Sequence, residues 1–85
     1  MTRHEAELMM IESDIENLTQ QMSSQTDWMM RQAEEMKQAV ERGYDLTCHA
    51  SNLTSAATEL AVMSARLDTL HRAKKAMANA TKETV

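Results

Sequence analysis

Asp45, Cys48 and His49 are the residues of this chain that come nearest to a chemical constellation. A carboxylate, a thiol and an imidazole are the usual ligands of a transition-metal ion, and on a helix positions 45 and 49 share a face one turn apart. A tetrahedral site needs a fourth donor, and the other two histidines, His4 and His71, stand far away along the chain. A Cys–His nucleophile pair fails on geometry, because neighbouring side chains on a helix point about 100° apart. The expected roles are therefore structural. Cys48 reads as a small buried or half-buried residue, and His49 as the occupant of a seam position near a turn. No metal or other cofactor is expected, and no catalytic residue is assigned; the chain reads as a non-enzyme.

The chain contains one glycine, so a glycine-rich phosphate-binding loop is excluded. The cluster HRAKK at 71–75 could meet a phosphate backbone. Cations are also favoured in the C-terminal part of a helix, and the acidic N-terminal region offers them partners. With a formal net charge of −4, contact with nucleic acid is the weaker reading.

These residues must be positioned by helices. There is no Pro and no Phe, and the apolar mass is Leu, Ile, Met and Ala, which favour helix over strand. On the first half, His4, Leu8, Ile11, Ile15, Leu18 and Met22 recur at alternating steps of four and three, and the stripe continues through Met29, Ala33, Met36 and Val40. On the second half, Leu46, Leu53, Leu60 and Leu67 recur every seventh residue, interleaved with Ala56, Met63, Leu70 and Met77. A column of small residues, Ala50, Ala57 and Ser64, lies beside them.

Between the halves, Arg42–Gly43 reads as a helix end and Asp45 as the cap of a helix that starts at Leu46. The predicted domain is single and spans residues 1–85: a helix over 3–42, a turn at 43–45, a helix over 46–79 and a frayed tail at 80–85. Charge supports the reversal. Residues 1–30 carry six acids and one base, while residues 66–82 carry five bases and one acid. Folding back sets Lys75 near Glu12, and Arg72 near Asp14 or Glu16. It also brings Met29 toward Ala57, Met36 toward Ala50 and Met22 toward Ser64. The fold class is all-α, an antiparallel hairpin of two long helices. A three-helix variant would break the first arm at SSQTD, 23–27. Two arms leave apolar columns uncovered, so dimerisation into a four-helix bundle, a form of coiled coil, is expected.

The core of that bundle is assigned to Leu8, Ile11, Ile15, Leu18, Met22, Met29, Met36, Leu53, Ala57, Leu60, Met63, Leu67 and Leu70. Seven of the nine methionines precede the turn, two pairs of them adjacent. Flexible thioethers and a lone Trp suit adaptable contact with another protein, so Met9, Met10, Trp28, Met30 and Tyr44 form the candidate partner-binding set. The function expected is non-catalytic protein binding, as an adaptor, a co-chaperone or an inhibitor. The inhibitor reading includes a phage- or plasmid-borne antagonist of a host nuclease or defence complex. The single cysteine, the early acids of the N-terminus and the lack of a long apolar run point to a cytoplasmic protein with no membrane contact.

Overall fold

A computed structural model describes residues 2–83, and two helices account for nearly all of them: α1, Arg3–Arg42, and α2, Thr47–Glu83. They pack antiparallel as a hairpin measuring 66 × 18 × 14 Å. The long dimension matches a 40-residue helix at about 1.5 Å per residue.

α1 starts on a capping box. The Thr2 hydroxyl accepts from the Glu5 amide at 3.1 Å, and the Glu5 carboxylate accepts from the Thr2 amide at 3.4 Å. The signal T-x-x-E stands in the sequence at residues 2–5. α1 ends on a left-handed glycine, Gly43, at φ 74° and ψ 23°. The Gly43 amide donates to the Val40 carbonyl at 3.1 Å, and the Tyr44 amide donates to the Ala39 carbonyl at 2.9 Å. This pair of bonds satisfies carbonyls that the helix end would otherwise leave orphaned.

The three-helix variant is not observed, because α1 runs unbroken through 23–27. Hydroxyls that might have capped a break turn back into the helix: Thr19 donates to the Ile15 carbonyl and Thr26 to the Met22 carbonyl. α2 begins at Thr47, one residue later than expected, and extends to Glu83 rather than 79. The expected frayed tail is thus helical as far as Glu83, and its last two positions lie outside the described residues.

The seam follows a four–three alternation, strict on α1 and broken once on α2 after Leu70. On α1 it comprises His4, Leu8, Ile11, Ile15, Leu18, Met22, Gln25, Met29, Gln32, Met36 and Ala39, all buried or half-buried. Facing it are Leu46, just before α2, and on α2 His49, Leu53, Ala56, Leu60, Met63, Leu67, Leu70, Ala73 and Met77. Three polar contacts fix the register: His4 Nε2 to the Met77 carbonyl at 3.2 Å, Gln25 Nε2 to the Ala56 carbonyl at 3.2 Å, and Gln32 Oε1 to His49 Nδ1 at 3.3 Å. From Gln25 to Gln32 the first arm advances seven residues while Ala56 to His49 retreats seven. That is an antiparallel coiled-coil repeat.

The seam corrects the sequence reading at several positions. Ala33 and Val40 are exposed, and their places are taken by Gln32 and Ala39. Ala57 is likewise exposed, with Ala56 in the seam instead. In each case the apolar neighbour sits about 100° around the helix from the position that the repeat dictates. Ala50 and Ser64 are also exposed, so the pairings of Met29 with Ala57, Met36 with Ala50 and Met22 with Ser64 do not form the seam.

Candidate functional site

Among the described residues, Leu18, Ala39 and Ala56 are the buried ones, at 7%, 6% and 3% exposure. The surface is therefore where a function must be sought, and the heptad geometry divides it into two flanks. Trp28, Asn52, Glu59 and Arg66 each precede a seam residue and lie on one side. Ala33, Val40, Ala50, Ala57 and Ser64 each follow a seam residue and lie on the other.

The tryptophan flank is indented. Trp28, Gln25, Asn52, Ser55, Ala56 and Glu59 line an open groove of about 400 Å³. Gln25 forms its floor: its amide nitrogen donates both to the Ala56 carbonyl and to Glu59 Oε2, the latter at 3.1 Å. Further toward the open end, a second hollow of about 190 Å³ is lined by Asp14, Asn17, Leu18, Gln21, Arg66 and Leu70. Trp28 is half-buried, not the exposed anchor that the sequence suggested. Its ring is held at the groove wall, which leaves one side for a partner.

The other members of the candidate partner-binding set do not join Trp28 on one face. Met9, Met10, Met30 and Tyr44 are 55%, 67%, 70% and 65% exposed. Met9 and Met30 stand three heptads apart on the same side of α1, the side of Val40. Two residues separate Trp28 from Met30, a rotation of about 200°, so these two face nearly opposite ways. Met10 lies nearer the tryptophan side, and Tyr44 sits in the turn.

Around the turn, Asp45, Cys48 and His49 have separate roles. Asp45 Oδ1 accepts from the Thr47 hydroxyl at 2.8 Å and from the Thr47 amide at 3.0 Å. These two bonds, the hydroxyl's first, hold the Asp45 carboxyl below its usual pKa. His49 occupies the seam as expected, with Nδ1 3.8 Å from the Glu35 carboxylate. Cys48 is exposed, contrary to the expectation of burial, and its Sγ accepts weakly from Asn52 Nδ2 at 3.8 Å. Among the described residues, no three His, Cys, Asp or Glu side chains converge on a common point.

Among the described residues, the Lys or Arg pair observed between the arms is Lys74 with Glu12 at 3.7 Å, in place of Lys75 with Glu12. Arg72 does not reach Asp14 or Glu16; it pairs with Asp68 on its own helix at 2.8 Å. Both pairs are solvent-exposed and add little to stability. No helix among the described residues is long and apolar enough to cross a membrane. Comparison with protein-family models, with curated proteins and with solved structures returned no match to this chain.

Proposed function

We propose that this chain is a non-catalytic helical hairpin that acts in the cytoplasm by binding another protein, and that it does so as a homodimer. One observation carries the reading: among the described residues, two helices of 40 and 37 residues leave only three side chains buried, while six large apolar residues stay more than half exposed. The accessible surface is 6512 Å². A compact monomer of 9.6 kDa would expose about 5,100 Å². The excess exceeds the roughly 800 Å² that each partner contributes to a standard protein interface. The partner-binding element is the groove beside Trp28, where an aromatic wall, an amide floor and the Glu59 carboxylate suit a helix with an apolar ridge and a neighbouring base. Adaptor, co-chaperone and inhibitor all remain forms of this one activity.

The test is affinity capture from the native host with wild-type chain and with Trp28→Ala. The expected result is a protein retained by wild type and lost by the variant, with helix content unchanged. Capture that survives Trp28→Ala would remove the groove from the account. The nucleic-acid reading is separated by salt. Binding through Arg66, Arg72, Lys74 and Lys75 would weaken steeply between low and moderate salt, whereas an apolar groove contact would barely change.

A further inference from the structure

Resting on the homodimer reading, we propose that the flank opposite Trp28 is the self-association face, and that two copies meet there with their turns at the same end. On α1 this flank presents Met30 and Val40, 70% and 62% exposed, together with the smaller Ser23, Thr26 and Ala33. On α2 it presents Ala50, Ala57 and Ala61, all exposed. From 46 to 65 the only acidic or basic side chain on α2 besides His49 is Glu59, and that one is turned into the groove on the other side. Thr54 lies among the alanines with its hydroxyl donating to the Ala50 carbonyl at 2.9 Å, so that hydroxyl is already satisfied within its own helix. Along this flank α1 brings one charge to the turn-proximal half, Lys37.

The occupant is a second copy because the face is complementary to itself. A two-fold axis parallel to the hairpin lays α1 of one copy across α2 of the other, so that in the register of the seam Met30 meets Ala50, while Ala57 and Ala61 lie level with Ser23 and Thr19. On this flank the same operation sets Lys75 of one copy level with Glu5 of the other, and Asp68, paired with Arg72 on its own helix, level with Glu12. A two-fold axis perpendicular to the hairpin would instead stack α1 on α1 and take Ala50 away from Met30.

The full-length chain is examined by sedimentation equilibrium at tens of micromolar. The expected mass is twice 9.6 kDa. Ala57→Arg is expected to sediment at single-chain mass, and Ser55→Arg, on the groove side, to remain double. Wild type at single-chain mass overturns the proposal, and so does Ala57→Arg at double mass. Should Ala57→Arg lose its helix content, the arrangement is read from spin labels on Arg3→Cys in a Cys48→Ser background. Labels roughly 30 Å apart are expected for turns at the same end, and a separation beyond roughly 50 Å, as reversed hairpins would give, overturns it. Trp28 takes no part in these measurements, so the dimer face and the partner groove stand or fall separately.

Discussion

Gly43 holds a backbone conformation that L-residues with a Cβ adopt only at a cost, and space is not the reason. A Cβ built at this position meets nothing within 4 Å, while φ stands at 74°. Gly43→Ala is therefore expected to lower stability by about 1 kcal/mol through backbone strain alone, with Gly43→Asn costing less. Chemical denaturation measures both, and a larger loss for Ala would mean that the turn is more tightly packed than its geometry shows. Two residues on, Asp45 gives the turn a pH dependence of known sign. Its carboxyl is lowered by the Thr47 hydroxyl and amide, so the ionised form is favoured in the folded state. The stabilisation is present above the unfolded carboxylate pKa of about 3.9 and is lost as pH falls through the depressed folded value. Asp45→Ala is expected to be less stable than wild type at pH 7, with the gap closing as pH drops below about 4. A difference that stayed constant through the acid range would show that the carboxylate does not cap α2.

At the scale of the element, the two helices divide their seam into unlike halves. Toward the open end it is aliphatic, with Leu8, Ile11, Ile15, Leu18 and Met22 against Leu60, Met63, Leu67 and Leu70; toward the turn it carries Gln25, Gln32 and His49. Gln32→Leu is expected to raise stability by about 1 kcal/mol by exchanging a polar seam residue for an apolar one. It is also expected to loosen orientation, since polar seam residues fix register; native mass spectrometry should then show species beyond the wild-type assembly. This division explains what was legible in the sequence. The aliphatic half announces itself by spacing, and the turn by Arg42–Gly43 and Asp45. Past Met22 the repeat runs through Gln25 and Gln32. Following apolar identity there leads to Ala33 and Val40, one step off the seam. The groove was illegible because its floor is an amide, Gln25, whose bonds to the Ala56 carbonyl and Glu59 exist only once the arms are in register. The inter-arm ion pairs were over-read because total charge on each arm does not fix which side of a helix each charge occupies. Arg72 finds Asp68 one turn away on its own helix.

At the scale of the whole molecule, the seam sets where the hairpin is firm. Helix ends usually fray and turns usually anchor, but here Gln25, Gln32 and His49 lie in the turn-side half and the aliphatic layers in the other half, closed at the chain end by His4 against the Met77 carbonyl. Leu18, the largest of the three buried side chains, stands within the aliphatic half and helps line the hollow with Leu70 and Arg66. Met36 sits near the turn and is half-buried. Leu18→Ala is expected to cost about 3 kcal/mol, whereas Met36→Ala is expected to cost about 1 kcal/mol, because less apolar area is lost where the seam is open. The same asymmetry predicts the pattern of amide exchange. Protection should peak on α1 around residues 11–22 and on α2 around 60–70, and should fall from there toward Gly43, although the turn joins the two arms covalently. Exchange that is slowest beside the turn would mean that Gln25, Gln32 and His49 hold the arms together more firmly than the leucine layers. The hairpin would then be organised around its polar contacts and not around its apolar seam.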